Sequence, residues 1–301
     1  MTTAQPQGSR MHADEVGIDA DLVRALVAEQ FPRWAHLPVT EVPSAGTDNA
    51  MYRLGGELAV RLPRIPGAVG QVEKEHRLLP RLAGRLPLSV PVPVERGVPG
   101  EGYAFPWSVY RWLEGENLID APAADPYGTA VALGGFVAAL RQVDATGVPR
   151  SFRGGPLGGR DRDVRAAIAD LGADGTVDGA AATAVWEESL ALPQWEGDPV
   201  WVHADLLPGN LLAHRGRLSA VIDFGGAGSG DPACDLMPAW TLLSAGTRQA
   251  FRDAAAPDAA TWLRGRGWAL CFGLTAVHYY RGGRNPVLAE VARRTLTEIL
   301  P

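Results

Sequence analysis

Trp201-Val-His203-Ala-Asp205-Leu-Leu-Pro-Gly-Asn210-Leu-Leu, followed by Ala220-Val-Ile-Asp223-Phe-Gly225, is the most informative stretch of the chain. Apolar residues flank a polar knot on both sides, which predicts two short buried strands presenting His203, Asp205, Asn210 and Asp223 at their connections. Buried strands rarely carry carboxylates without a reason, because an ionised group out of water must be paired or put to use. An Asp followed five residues later by an Asn, with Asp-Phe-Gly on the next strand, is the arrangement that phosphoryl transfer asks for. One carboxylate accepts a hydroxyl proton, while an amide oxygen and a second carboxylate hold magnesium against nucleotide phosphates. The competing reading is a polar turn whose Asp and Asn bond only the local backbone. Four correctly spaced polar residues between apolar runs count against it.

Upstream of this stretch the chain is strand-rich. After a polar, aperiodic leader over residues 1–16, in which Met11 is an alternative start, Ile18, Leu22 and Leu26 recur at helical spacing behind Asp19, a capping residue. Short alternating segments follow at 39–42, 50–54 and 57–62, the last two joined by Gly55-Gly56 as a hairpin. Residues 68–79 read as a helix that Pro80 ends, and 89–94 and 108–113 as further strands. Beyond Gly115 helical patterns dominate, at about 125–143, 162–171, 179–191, 233–245, 258–280 and 287–300. Short strands interrupt them near 199–202, 211–213 and 218–222. The four glycines and one proline of 151–159 predict a mobile loop. The expected fold class is α+β, with a small β-rich amino-terminal lobe over 17–113 and a larger, mostly helical lobe over 114–301.

Composition narrows the partners. The chain has 301 residues, with 28 basic groups, all but Lys74 arginine, against 34 acids. That balance carries no basic stripe and argues against a nucleic-acid binder. Two cysteines, Cys234 and Cys271, make neither a disulfide framework nor a four-cysteine metal site, and a reducing cytoplasm fits them. No run of 18 apolar residues exists and the amino terminus lacks a secretory pattern, so neither a membrane nor an obligate protein partner is expected.

His203-x-Asp205-x4-Asn210, Ile222-Asp223-Phe224-Gly225 and Gly230-Asp231-Pro232-x2-Asp235-Leu236 together resemble the aminoglycoside phosphotransferase family, the small-molecule branch of the protein-kinase-like fold. The resemblance spans roughly residues 40–300. It implies an enzyme moving the γ-phosphoryl group of ATP or GTP to a hydroxyl of a small molecule, an antibiotic before a metabolite. By this likeness Asp205 is the proton acceptor, His203 a loop brace, and Asn210 and Asp223 the Mg2+ ligands. Ser44-Ala-Gly46-Thr47-Asp-Asn49 resembles the phosphate-side loop, Arg61 the basic residue of the third strand, Glu75 its helical partner, with Glu73 as the alternative, and Arg111 and Leu113 the hinge that holds the base. Two positions depart from the pattern. Ala204 stands where relatives usually have Gly, and Arg61 stands where lysine is usual, offering a planar fork instead of a compact ammonium.

Asp231 and Asp235 read as caps or loop anchors, and His214 as a surface histidine. A protein kinase is excluded by the five residues between Gly225 and Asp231, which leave no room for an activation segment. A sugar, choline-like or amino-alcohol kinase shares every motif, and a non-catalytic nucleotide-binding module would not need Asp205, Asn210 and Asp223 together. The acceptor site is expected from an acidic piece at 161–198, with nine acids against two arginines, and an aromatic piece containing Trp240, Trp262, Trp268, Phe272, Tyr279 and Tyr280. The latter is read as core in the main. Where its faces are open they favour an acceptor with few positive charges.

Overall fold

The computed structural model describes residues 16–42, 48–283 and 285–301. It forms two compact units, one from the chain up to Pro80 together with Pro91–Leu113, the other from Arg81–Val90 and Glu114–Pro301. The fold is mixed α and β, with an antiparallel sheet in the first unit and a predominance of helix in the second. The expected leader lies, save for Val16, outside the described residues, as does the Ser44–Thr47 part of the expected phosphate-side loop.

In the first unit α1 (Ala20–Gln30) starts where Asp19 accepts the Leu22 amide at 2.9 Å. Strands β1 (Val39–Glu41), β2 (Asn49–Leu54), β3 (Leu58–Pro63), β4 (Pro93–Gly97) and β5 (Trp107–Arg111) form one sheet in the order β1-β2-β3-β5-β4. Alternate residues of β2 are buried, and Tyr52, Leu54, Val60, Leu62, Trp107 and Val109 pack with Val23, Leu26 and Val27 of α1. Helix α2 (Val69–Leu78) ends at Pro80 through a single 3-10 turn.

Two details differ from expectation. The hairpin pairs Leu54 with Leu58, so its loop is three residues long, and of the two glycines only Gly55, at φ +62°, needs the left-handed region. The strand expected at 89–94 is displaced to β4, because Pro91 cannot donate to a ladder and Pro93 is accommodated as the first residue of the strand. In β4, Gly97 lies against the Trp107 ring, where an added Cβ would stand 2.0 Å from Cε2.

The second unit contains β6 (Glu116–Asn117), α3 (Pro126–Leu140), α4 (Asp161–Ala173), α5 (Gly179–Leu190), β7 (Val200–Val202), β8 (Leu211–His214), β9 (Arg217–Val221) and β10 (Gly228–Gly230). Helices α6 (Pro238–Thr241), α7 (Ala245–Ala255), α8 (Ala259–Tyr279) and α9 (Pro286–Ile299) complete it. The continuous helix expected at 233–245 does not form. Pro232 and Pro238 each remove a backbone donor, and the segment breaks into a 3-10 turn over Pro232–Leu236 and the short α6, while α7 begins only at Ala245. Among the described residues no helix is long and apolar enough to cross a membrane.

Candidate active site

The first unit concentrates its polar residues where β3 faces α2. Arg61 projects from β3 and donates through Nη1 to Oε1 of Glu75 at 2.6 Å and through Nη2 to Oε1 of Gln71 at 2.9 Å. Gln71 and Glu75 sit four residues apart on α2, hence on one face of it. The Asn49 carboxamide oxygen, in the orientation that satisfies both groups, accepts from Arg61 Nη2 at 2.9 Å. Glu75 is buried and Glu73 exposed, so the residue that Arg61 meets is Glu75. Glu75 also accepts the Tyr110 hydroxyl on its other oxygen. Burial, then the Glu75 charge, push the Tyr110 phenol well above its usual range, which keeps it a donor. At the end of β5 the Arg111 amide donates to the Val92 carbonyl at 2.9 Å. Leu113 lies beyond the strand, two residues on.

In the second unit β7 delivers His203, Ala204 and Asp205 into a turn tied from three directions. Asp235 is buried and accepts both the His203 amide, at 2.7 Å, and the Ala204 amide, at 2.6 Å. Burial raises its carboxyl above the ordinary carboxylate range, against the pull of His203 and of those two amides. The His203 ring shares a hydrogen bond through Nε2 with the Ile222 carbonyl at 3.0 Å and accepts the Asp205 amide on Nδ1 at 3.3 Å, so the proton belongs on Nε2. Its ring stands edge-on to Phe224 at 4.6 Å. The Ile222 amide in turn donates to the Asn210 carbonyl at 2.9 Å. These bonds hold Asn210 beside the Ile222-Asp223 segment.

Asp205 Oδ2 accepts from Asn210 Nδ2 at 2.9 Å. Because Nδ2 also donates to the Asp205 carbonyl at 2.9 Å, the Asn210 amide is fixed with Oδ1 as the oxygen not used by this turn. Asp223 adopts φ +61° and ψ +71°, and Ala204 φ +67°, both in the left-handed region that non-glycine residues seldom occupy. A glycine at the Ala204 position would sit there without strain. Asp231 caps the following 3-10 turn and pairs with Arg264 of α8 through Nε at 2.9 Å and Nη2 at 3.1 Å. Asp231 and Asp235 are thus loop anchors.

Sequence reasoning missed Arg153. Its Nη1 donates to Asp205 Oδ1 at 2.8 Å and to the Ala204 carbonyl at 2.5 Å, and its guanidinium lies over the Phe152 ring, 4.4 Å from the centroid. The expected mobile loop is instead laid along β10. Ser151 N donates to Ser229 O, Ser229 N to Pro149 O and Asp231 N to Gly154 O, at 2.9 to 3.1 Å, while Ser151 Oγ donates to Gly226 O at 2.8 Å. Gly230 permits this approach, since a Cβ there would stand 2.2 Å from Gly154 Cα. The one available signal was Gly226-x-Gly228-x-Gly230, glycine at strand period, which marks a close backbone neighbour.

The expected acceptor elements divide. Trp240, Trp262, Trp268 and Phe272 are core side chains, while Tyr279, at the end of α8, is exposed. Several of the nine acids of 161–198 are engaged in pairs and caps: Asp161 with Arg165, Asp170 with His278, Asp174 with Arg281 and Asp178 on the α5 amides. Phe152 is the exposed aromatic beside Asp205 and Gly226, at 52% of its surface.

A search among curated proteins finds no match. Among solved structures, the chain is similar to an APH(2'') enzyme in complex with GDP and kanamycin, at 20% identity over 91% of this chain and 98% of that one with a TM-score of 0.69. It is similar also to the GDP complex of wild-type aminoglycoside 2'-phosphotransferase-IIIa, at 18% identity over 93% and 99% with a TM-score of 0.70. Macrolide 2'-phosphotransferase MphH from Brachybacterium faecium matches at 26% identity over 92% and 97% with a TM-score of 0.62. These likenesses give the chain the protein-kinase-like fold of those enzymes. The profile of the phosphotransferase enzyme family, APH, matches residues 39–269, well over half of the 301, and the chain belongs to that family.

Proposed function

We propose that this phosphotransferase moves the γ-phosphoryl group of ATP or GTP to a hydroxyl of an antibiotic-sized acceptor carrying few positive charges. The observation that carries the reading is the clamped Asp205, with one carboxylate oxygen on Asn210 and the other on Arg153. Each oxygen keeps a second lone pair, so an acceptor hydroxyl meets a carboxylate already fixed in orientation. In the transfer the acceptor oxygen bonds to the γ-phosphorus, the hydroxyl proton passes to Asp205, and the bond from phosphorus to the β,γ-bridging oxygen breaks, releasing the nucleoside diphosphate.

The donor set of the second unit suits magnesium. Among the described residues no group of three or more His, Cys, Asp or Glu side chains could hold a metal alone. Magnesium characteristically takes one or two protein oxygens and fills its shell with phosphates and water. Asp223 and Oδ1 of Asn210 would supply those oxygens; the bound ion neutralises phosphate charge. Arg61, aimed by Glu75 and Gln71, would touch the phosphates, and the phosphate-side loop, including Gly46, Thr47 and Asn49, would cover them. The hinge backbone at Arg111 and Leu113 would hold the base.

The acceptor class rests on two supports. Arg153 places a positive charge beside the reactive carboxylate, and the relative at 26% identity is named for a macrolide. Purified protein with magnesium and ATP or GTP is to be screened against hydroxyl-bearing antibiotics and metabolites with product mass as the readout. The reading expects turnover of a weakly charged antibiotic, with an acceptor KM that scarcely moves from low to physiological ionic strength. A steep rise in KM with salt, or exclusive turnover of a metabolite, overturns the acceptor assignment.

A further inference from the structure

Arg153 carries more hydrogen-bonding capacity than the loop uses. A guanidinium has five N–H donors in a fixed fork. The two on Nη1 are spent on Asp205 Oδ1 and the Ala204 carbonyl. Among the described residues no acceptor engages its Nε or Nη2. The group is held in place from the backbone outward. Residues 149–154 run along β10, which pairs antiparallel with β7, and β7 leads straight into His203 and Asp205. The cation and the carboxylate are therefore projected from the two segments that flank β10 in one small layer. Arg160 Nη2 donates to the Phe152 carbonyl at 2.8 Å and fixes the far side of the turn, and the half-exposed Phe152 ring lies under the guanidinium.

We infer that Arg153 is a positioning residue for Asp205 and, through its Nε and Nη2 edge, a specificity determinant that favours acceptors presenting an oxygen next to the reacting hydroxyl over acceptors presenting an ammonium group there. Two parallel donors on this edge, with the second Nη2 hydrogen beside them and an aromatic face behind, recognise a ring oxygen, carbonyl or second hydroxyl. The same edge repels a cation brought to the same place, so rejection of ammonium-bearing acceptors is built in by charge. The inference rests on the transfer reading given above. It adds the residue that orients the proton acceptor and the chemistry of the acceptor's neighbouring group.

The test compares wild type with Arg153→Lys and Arg153→Gln in steady-state kinetics. The acceptors are paired, one uncharged and one with an ammonium next to its reacting hydroxyl, and magnesium-nucleotide hydrolysis without acceptor is measured in parallel, water then taking the acceptor's place at Asp205. Arg153→Gln is expected to lower kcat by about 30-fold or more with nucleotide KM unchanged within about twofold. It should also move the kcat/KM ratio by about tenfold towards the ammonium-bearing acceptor. Arg153→Lys, which keeps the charge and loses the fork, should recover part of kcat but not the preference for the oxygen-bearing acceptor. Should the Gln variant misfold, as read by its unfolding midpoint, the Lys variant alone decides by the same preference. Turnover in Arg153→Gln within about threefold of wild type, or an equal loss of nucleotide affinity, overturns the inference. If wild type transfers to no acceptor, the functional reading fails separately. Acceptor-free hydrolysis then decides the role of Arg153: a loss in Arg153→Gln supports positioning of Asp205, and an unchanged rate overturns it.

Discussion

Each unit holds one arginine–carboxylate pair of functional interest, and the two pairs are built with opposite emphasis. In the first unit the proposed working group is the arginine: Arg61 is fixed by a buried Glu75, and both come from regular elements, β3 and α2. In the second the proposed working group is the carboxylate: Asp205 follows β7 and is fixed by Arg153 from the 151–154 turn. The difference follows from what each charge must do. A phosphate-binding cation keeps a constant charge, so a buried partner and a rigid helix suffice to aim it. A proton acceptor needs open lone pairs, and Asp205 is left with 28% of its side chain exposed while being gripped at both oxygens. Its grip therefore comes from loops, which are themselves held by Asp235, His203 and the Gly154–Gly230 approach.

The comparison breaks first at the working groups of the second unit. Asp223→Ala should abolish transfer at saturating magnesium with the unfolding midpoint close to wild type, and Asp205→Asn should lower kcat by about 100- to 10,000-fold with nucleotide affinity little changed. Steady-state kinetics together with nucleotide titration check both. A parallel loss of nucleotide binding in Asp205→Asn would turn the residue into a structural one and erase the contrast.

In the first unit the holder carries the larger stability effect. Glu75→Ala strips Arg61 of its buried counter-charge and Tyr110 of its acceptor, and should cost about 3 kcal/mol in denaturant unfolding. Arg61→Lys keeps the charge but cannot span Glu75 and Gln71 together, so nucleotide KM should rise about tenfold with kcat less affected. Unchanged KM in Arg61→Lys would mean that charge alone is used.

Gly230→Ala sharpens the comparison from a distance. The new Cβ meets Gly154 backbone rather than a flexible side chain, so the 151–154 turn must retreat, at about 1 to 3 kcal/mol of stability and with loss of the Arg153 contact. Turnover should fall about tenfold while nucleotide affinity holds, as measured on the folded variant. The smallest effect is expected at Ala204→Gly. Relief of the left-handed strain at φ +67° is partly offset by the greater freedom of glycine in the unfolded chain, leaving a gain of about 0 to 1 kcal/mol in the unfolding free energy. A loss of stability would show that the Ala204 methyl packs usefully in its buried position.

The unequal construction also explains what could be read in advance. The Arg61–Glu75 pair was legible through the family resemblance, and burial of Glu75 with exposure of Glu73 separates the two candidates. Asp205, Asn210 and Asp223 were legible because their spacing is local and chemically demanding. Arg153 lies 52 residues from Asp205 and is brought to it by backbone packing between two glycine-bearing segments; the glycines at strand period mark a close neighbour on β10 but not which segment supplies it. The break of the 233–245 helix was announced by Pro232 and Pro238 and outweighed by the apolar pattern around them. The core position of Trp240, Trp262, Trp268 and Phe272 could be guessed from helical spacing, but not which faces of α8 its neighbours cover.

The most direct test of the account follows the phosphoryl group itself. Nucleotide labelled at the γ-phosphate is incubated with magnesium, the best acceptor of the panel, and either wild type or Asp205→Asn, and the label is followed by product mass. The account predicts that wild type carries the labelled group onto one acceptor hydroxyl with release of one nucleoside diphosphate per product, and that Asp205→Asn binds nucleotide normally yet transfers at about one hundredth of that rate or less. Label appearing in the acceptor at an undiminished rate in Asp205→Asn would contradict it.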